Sequence, residues 1–203
     1  MEQRTDEWFE ARLGKVTASR ITDALAAPST AAYANYQAQL IAERLTGKPY
    51  ETHQTSAMQW GIDQEDDARS FYEFLRDTGV IDNGFIDHPT INFAGASPDG
   101  LIGDDGQIEI KCPNTATHIK TLTTQKIESR YRNQMTWQMA CTGRSWCDFI
   151  SYDPRLPVEY RSCIIRFERD NEQIELMENK VQDFLRKLED KLNEIKSKGE
   201  KNG

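Results

Sequence analysis

The segment from residue 97 to 112 constrains the fold of this 203-residue chain more than any other feature. Asp105-Gly106 is typical of a tight turn between two antiparallel strands, so the segment is predicted to form a β-hairpin. Side chains alternate between the two faces of a strand, which places Glu109 and Lys111 on one face and two isoleucines on the other. A charged face and an apolar face on one strand indicate a sheet that carries a polar site.

The pattern of apolar residues predicts helices before this hairpin and strands around it. The sequence predicts a first helix capped by Thr5, a short second helix after Ser19, a third over residues 31–46 and a fourth following Gly61. Short apolar runs bounded by turn residues predict strands over 85–87, 91–97, 107–112, 146–152 and 160–167. A polar helix is expected over 117–141, so the order of elements predicts an α/β fold.

The C-terminal region is predicted to be a charged helix with an apolar stripe. Its apolar positions step by three or four residues: Ile174, Met177, Val181, Phe184, Leu188, Leu192 and Ile195. This stripe is expected to pack on its own domain, with a subunit contact as the alternative. The length of the chain favours a single domain over residues 1–196, with a disordered tail over 197–203.

Charge is distributed unevenly along the chain. The net charge is −8, which argues against nonspecific coating of nucleic acid. Residues 61–110 contain twelve acidic and two basic residues, whereas residues 111–144 contain six basic and one acidic residue. Acidic clusters bind hard cations and basic stretches bind phosphates, so the order suits a metal-dependent enzyme acting on a polyanion; solvated helix faces are the alternative. With no apolar run long enough to span a membrane and no secretory leader, the chain is expected to be cytoplasmic.

Asp99 precedes the hairpin strand and is expected to meet Glu109 across it. Two carboxylates and a backbone carbonyl leave positions open on a six-coordinate cation, and Mg²⁺ fits this donor set best. Lys111 lies two residues beyond Glu109, on the same face, where it would orient a water on the metal. These residues indicate phosphodiester hydrolysis, although a solvent-facing hairpin with a surface ion pair would give the same bare pattern.

Six ordered motifs give the chain its resemblance to a known family. They are Arg12 to Ser19, Trp60-Gly61 with Glu65 and Ala68-Arg69, Ser97 to Leu101, Glu109 to Pro113, Gln134, and Tyr152 to Arg155. Their order resembles the phage lambda-type exonucleases, also called YqaJ-like viral recombinases, of the PD-(D/E)XK nuclease superfamily. The resemblance spans roughly residues 8–195 and implies a restriction-endonuclease-like core with a mixed central sheet flanked by helices.

The resemblance also implies roles for individual residues. Asp99, Glu109 and the Ile110 carbonyl would bind metal, Lys111 would position the attacking water, and Glu65 would hold a second metal or a water. Further roles fall into three groups: a 5'-phosphate pocket of Arg12, Ser19 and Ser97; a glutamine near the lysine, Gln134; and DNA-tracking residues Lys120, Lys126, Arg130 and Arg132. The family has another acidic residue before Ser97, and Asp87 is offset from it, which leaves its role open.

The activity implied by the resemblance is a Mg²⁺-dependent 5'-to-3' exonuclease, with Mn²⁺ as a substitute. It would degrade one strand of linear double-stranded DNA to mononucleotides and leave a 3' overhang for recombination with a single-strand annealing protein. The implied assembly is a ring-shaped homotrimer encoded by a phage or prophage. The alternatives are an endonuclease of the same superfamily or an inactive scaffold that binds DNA ends.

Overall fold

The computed structural model describes residues 3–50 and 55–202. Its seven strands form two sheets and its seven α-helices surround them within these ranges. The α-helices are α1 (Asp6–Arg12), α2 (Ile21–Ala24), α3 (Ala31–Thr46), α4 (Ser56–Arg76), α5 (Thr115–Thr124), α6 (Ser129–Thr142) and α7 (Asn171–Asn202). The strands are β1 (Val16–Thr17), β2 (Ile86–Asp87), β3 (Ala94–Ala96), β4 (Gly100–Ile102), β5 (Gly106–Lys111), β6 (Trp146–Tyr152) and β7 (Ser162–Glu168). The predicted α/β fold with mixed sheets is therefore confirmed.

The larger sheet has the strand order β4-β5-β6-β7. β5 pairs antiparallel with β4 and parallel with β6, and β6 pairs antiparallel with β7. The parallel connection from β5 to β6 passes through α5 and α6, which is the crossover that a parallel pair requires. β5 is thus an interior strand, and both of its faces are covered.

The predicted hairpin is present, with a shifted turn. Residues 103–105 form the turn and Gly103 adopts a positive φ of 49°, which a glycine tolerates without strain. Gly106 instead lies in β5, where an added Cβ would approach the Trp146 ring to 2.1 Å. Glycine is needed there because the ring packs directly against the backbone.

The smaller sheet has the order β1-β3-β2. β1 comes from the N-terminal region that the sequence predicted to be helical, and it pairs parallel with β3. It is only two residues long, so its apolar pattern was too short to indicate a strand. Ser97, Pro98 and Asp99 connect β3 of this sheet to β4 of the larger sheet.

The long polar helix predicted over 117–141 is two helices. α5 ends at Thr124 because Gln125 adopts a left-handed conformation, with φ 52°, and α6 begins at Ser129. Beyond the break, the middle of α6 contacts β5, because Gln134 and Gln138 both donate to Glu109.

α7 packs on its own domain, as the sequence predicted. Six of its apolar residues lie in one core cluster with residues of α2, α3 and α6: Ile174, Met177, Val181, Phe184, Leu188 and Leu192. Burying each large apolar side chain contributes roughly 1.5 to 3 kcal/mol, so the contact is strongly favourable. The predicted disordered tail differs from the structure, because α7 continues to Asn202 and Lys198 pairs with Glu194 one turn earlier. Gly203 lies outside the described residues.

Two further features of the described residues bear on the sequence analysis. All four cysteines, Cys112, Cys141, Cys147 and Cys163, are buried and free of disulfides. Across 3–50 and 55–202, none of the helices combines the length and the apolar character that crossing a membrane would require.

Candidate active site

The hairpin holds Asp99 against β5. The Asp99 N–H donates to the Ile108 carbonyl at 3.2 Å, and the Ile110 N–H donates to Asp99 Oδ2 at 2.6 Å. Removal of water by the surrounding protein, followed by repulsion from Glu109, raises the pKa of Asp99 to about 7. The two carboxylates predicted to meet are therefore close enough to oppose each other's ionisation.

Glu109 is completely buried and is held by three donors. Gln134 Nε2 donates to its Oε1 and Gln138 Nε2 to its Oε2, each at 2.6 Å. The Lys111 ammonium forms an ion pair with Oε1. A buried carboxylate costs several kcal/mol unless it is paired and hydrogen-bonded, and these three contacts supply that compensation. Glu109 consequently has a fixed orientation.

Lys111 stays an ammonium in this environment. Burial alone would lower its pKa, but the negative charges of Glu109 and Asp99 outweigh burial and raise the pKa well above its ordinary value. The Tyr131 ring centroid lies 5.4 Å from Nζ, which adds a favourable cation–π contact. Lys111 can therefore donate hydrogen bonds to an oxygen ligand but does not accept a proton at neutral pH.

Glu65 faces the same region from α4, as its helical spacing from Ala68 and Tyr72 predicted. Its carboxylate forms an ion pair with Arg4 and is only 18% exposed. Burial, and then repulsion from Asp99, raises its pKa. We call Glu65, Asp99, Glu109 and Lys111 the carboxylate corner.

The donor chemistry of the carboxylate corner fits a hard divalent cation. It combines three carboxylates with the Ile110 carbonyl, and burial, followed by repulsion between the carboxylates, raises the pKa values of Asp99 and Glu65. No three His, Cys, Asp or Glu side chains within 3–50 and 55–202 are already gathered as a metal-binding group. The Glu109 oxygens lie on Lys111 and two glutamines, so metal binding requires the Lys111 contact to open.

Trp8, Arg12 and Ser97 form a second polar cluster, in which Ser97 lies two residues before Asp99 in the chain. Arg12, at the end of α1, donates from Nη1 to Ser97 Oγ at 3.4 Å, and Trp8 Nε1 donates to the same oxygen at 2.9 Å. The Arg12 guanidinium stacks on the Trp8 ring at 3.9 Å. Burial lowers the pKa of Arg12 to about 10, which leaves it positively charged. We call Trp8, Arg12 and Ser97 the arginine pocket.

Ser19 is exposed and lies in a short 3₁₀ helix, Ala18–Arg20. Its Oγ is 3.3 Å from Thr17 Oγ1, and the Thr17 N–H donates to the Tyr36 hydroxyl. Thr17 is the N-cap residue of this 3₁₀ helix, and α2 begins at Ile21, which confirms the short helix expected after Ser19.

The four DNA-tracking candidates, Lys120, Lys126, Arg130 and Arg132, are all exposed. Lys126 lines a small cavity together with Lys111 and Tyr131. Arg130 pairs with Glu128 at 3.0 Å and stacks on the Tyr131 ring at 4.4 Å. Lys126 and Arg130 therefore approach the carboxylate corner, whereas Lys120 lies on α5 and has no such contact among the described residues.

Several site residues were missed by the sequence analysis. Gln138 binds Glu109 as closely as Gln134 does, and the spacing of four residues on one helix was the signal that could have found it. Arg69 Nη2 donates to the Asp99 carbonyl at 2.7 Å, and Arg4 pairs with Glu65. Asp87 is exposed and pairs with Lys15 at 2.6 Å.

The mixed sheet, the two carboxylates across a hairpin and the lysine two residues beyond Glu109 define the class of PD-(D/E)XK nucleases. The chain belongs to the family of YqaJ-like viral recombinase domains, whose sequence profile matches residues 7–145. Both conclusions agree with the resemblance stated from the sequence motifs.

The chain is also similar to solved structures of exonucleases. The chain is 50% identical to LHK-Exo, an alkaline exonuclease from Laribacter hongkongensis, with 98% of this chain and 100% of that chain covered and a TM-score of 0.92. A structure of LHK-Exo in complex with dAMP gives the same identity and coverage with a TM-score of 0.93. A phage-related exonuclease from Haemophilus somnus 129PT is 15% identical over 89% of this chain and 96% of that chain, with a TM-score of 0.71, and shares the fold. No curated protein sequence matches the chain.

Proposed function

We propose that the protein is a Mg²⁺-dependent 5'-to-3' exonuclease that degrades one strand of linear double-stranded DNA to mononucleotides. The observation that carries the proposal is the three-residue connection, Ser97 to Asp99, between the arginine pocket and the carboxylate corner. A pocket that binds anions next to a corner that binds cations suits the end of one DNA strand. The pocket would hold the terminal phosphate while the corner holds the cation at the first internal phosphate. The similarity to an alkaline exonuclease and to its complex with dAMP supports this proposal.

The arginine pocket would bind the 5'-terminal phosphate. Arg12 presents a planar guanidinium that pairs with two phosphate oxygens at once, and the Trp8 ring fixes the plane of that group. Ser97 and Ser19 would add hydroxyl donors. Because Arg12 is already buried as a cation, an incoming phosphate meets a partner that has lost most of its water.

The carboxylate corner would bind Mg²⁺, or Mn²⁺ as a substitute, through Asp99, Glu109 and the Ile110 carbonyl, with Glu65 at a second metal or a water. The bound cation would lower the pKa of a water and stabilise negative charge at the phosphorus. Lys111 keeps its protons and would donate a hydrogen bond to the attacking oxygen. Gln134 would hold Glu109 in place from the side that faces substrate.

The remaining proposals concern DNA and protein partners. Lys126 and Arg130 would track the DNA backbone beside the carboxylate corner, with Lys120 and Arg132 farther along. The product would be a 3' single-stranded overhang for a strand-annealing protein, in the cytoplasm of a bacterial host. A closed homotrimeric ring would keep DNA enclosed between successive cleavages.

The proposal is tested with linear duplex DNA that carries a 5'-phosphate on one strand and separate 3' labels. In Mg²⁺, the phosphorylated strand is expected to be lost progressively as mononucleotides while its partner stays whole. Internal cuts would replace the proposal by an endonuclease. Absence of Mg²⁺-dependent cleavage, with DNA ends still bound, would replace it by an inactive end-binding scaffold.

A further inference from the structure

A chain of hydrogen-bonded side chains extends behind Glu109, on the side away from solvent. Gln138 lies on α6, and Gln107 lies on β5 two residues before Glu109; both are completely buried. Thr142 lies one turn after Gln138 at the end of α6 and is partly exposed. A row of uncharged polar groups in the core is retained only when each group is satisfied.

We call these hydrogen-bonded side chains the orienting chain. Each of its hydrogen bonds is donated in the direction from Thr142 to Glu109. Thr142 Oγ1 donates to Gln107 Oε1 at 2.8 Å, which leaves the Gln107 amide nitrogen to donate to Gln138 Oε1 at 3.4 Å. The Gln138 amide nitrogen then donates to Glu109 Oε2 at 2.6 Å. Reversing either amide would bring oxygen against oxygen. Because the Glu109 carboxylate only accepts, it fixes the direction of donation, and the Thr142 hydroxyl completes the series by donating to Gln107.

Gln138 and Gln134 differ in their exposure to solvent. Both donate to Glu109 at 2.6 Å, but Gln134 is partly exposed beside Lys111, whereas Gln138 is completely buried. DNA therefore has no access to Gln138. Any effect of Gln138 on the reaction must pass through the Glu109 carboxylate.

We propose that Gln138, oriented by Gln107 and Thr142, is a positioning residue that holds Glu109 in its cation-binding orientation. This inference rests on the proposed function, because it takes Glu109 to be a metal ligand. Hydrogen bonds to a ligating carboxylate orient it, and removing such a partner typically costs roughly 10- to 100-fold in metal affinity or activity. The orienting chain gives Glu109 Oε2 a fixed hydrogen-bond donor. Glu109 Oε1 is then the oxygen that would exchange its Lys111 contact for a cation.

The test compares Gln138→Met with Thr142→Val in thermal melts over a Mg²⁺ series without DNA, and in cleavage assays over the same series. Gln138→Met is expected to raise the Mg²⁺ concentration for half-maximal stabilisation and for half-maximal cleavage by about 10-fold or more. Thr142→Val is expected to raise both by about 2- to 5-fold, because it removes one neutral hydrogen bond from the orienting chain. The KM for DNA at saturating Mg²⁺ is expected to stay unchanged.

The double variant sharpens the test. Because Thr142 acts through Gln138, the combined change is expected to match Gln138→Met alone rather than the product of the two effects. Thr136→Val is the matched control: Thr136 is buried on the same helix, but it lines a surface cavity with Phe167 and Arg169. Its Mg²⁺ dependence is expected to equal that of the wild type.

The outcomes separate this inference from the proposed function. A wild-type Mg²⁺ dependence in Gln138→Met, together with its loss in Glu109→Gln, would overturn the positioning role and keep the metal site. A lack of any effect of Mg²⁺ on melting or cleavage in the wild type would overturn the proposed function itself. If Gln138→Met does not fold, Thr142→Val decides alone, and an unchanged Mg²⁺ dependence in that variant overturns the orienting chain.

Discussion

The carboxylate corner and the arginine pocket hold buried charges of opposite sign, and burial shifts the pKa values in the two regions in opposite directions. In the corner, burial and then repulsion from Glu109 raise the pKa of Asp99 to about 7. In the pocket, burial lowers the pKa of Arg12 to about 10. Burial thus disfavours the charged form in both regions. Under the proposed function, the comparison predicts that the preference for a phosphorylated end and the cleavage step can be changed separately, although three residues connect the two regions.

The largest expected effect is a loss of cleavage rate when Lys111 of the carboxylate corner is replaced. Lys111→Ala is expected to lower the single-turnover cleavage rate by roughly 10²- to 10³-fold, because a fixed hydrogen-bond donor aimed at developing negative charge is worth about that factor. Binding of DNA ends, measured by fluorescence anisotropy in Ca²⁺, is expected to stay within about two-fold of the wild type. Lys180→Ala, an exposed lysine on α7, is the control and should cleave normally. Cleavage near the wild-type rate in Lys111→Ala would remove the lysine from the mechanism.

The next effect belongs to the pocket. Arg12→Ala is expected to reduce the preference for 5'-phosphorylated over 5'-hydroxyl ends by about 10- to 100-fold, since hydrogen bonds to a charged group contribute about 1.5 to 3 kcal/mol. The ratio of initial rates on the two substrates measures it. Arg20→Ala is a nearby control, because Arg20 pairs with Asp23 instead. An unchanged ratio in Arg12→Ala would show that the pocket does not read the terminal phosphate.

A smaller effect concerns pH in the corner. Because Asp99 has a folded-state pKa raised to about 7, protons compete with the cation below that value, and lowering the pH from 8 to 6 should raise the Mg²⁺ concentration for half-maximal thermal stabilisation by about 10-fold. The raised pKa means that protonated Asp99 favours the fold: this stability is full below pH 4 and is lost as pH rises through about 7. The stability that metal-free protein gains through this group is therefore expected to fall as the pH rises from about 4 to about 7 and to level off above that value. Thermal melts of Asp99→Asn should lack both trends, and their persistence would assign them to another group.

The smallest effect is expected at the edge of the pocket. Ser19→Ala is expected to reduce the preference for phosphorylated ends by about three-fold, because an exposed neutral hydroxyl contributes about 0.5 to 1.5 kcal/mol. The same rate ratio measures it, and Thr22→Ala on the exposed side of α2 is the control. A loss as large as that of Arg12→Ala would mean that Ser19, not Arg12, dominates recognition of the phosphate.

The sequence predicted the corner better than the pocket, for a physical reason. Asp99, Glu109 and Lys111 belong to one hairpin, so strand alternation and a turn dipeptide were enough to place them on one face. Arg12 and Ser97 come from elements 85 residues apart, and their contact depends on how α1 packs beside β3. Local patterns contain no information on that packing, so only the family resemblance indicated the pocket.

The sequence pattern also did not indicate that the carboxylate corner is buried. Alternation predicted Glu109 on a polar face, but α6 covers that face and leaves Glu109 completely buried. The covering depends on the break at Gln125, whose left-handed conformation is unusual for a residue other than glycine. A continuous helix over 117–141 was the natural expectation from propensity alone, and it would have hidden the role of Gln138.

The connection through Pro98 has a consequence for how the two regions can move relative to each other. Two residues span at most about 7 Å between their Cα atoms, and the proline ring further restricts the backbone of the segment. The separation of Ser97 from Asp99 is therefore limited by covalent geometry, whereas the position of Arg12 depends on the packing of α1. Under the proposed function, a substitution that loosened α1 would weaken binding of the terminal phosphate without lengthening the distance from Ser97 to the metal-binding carboxylate.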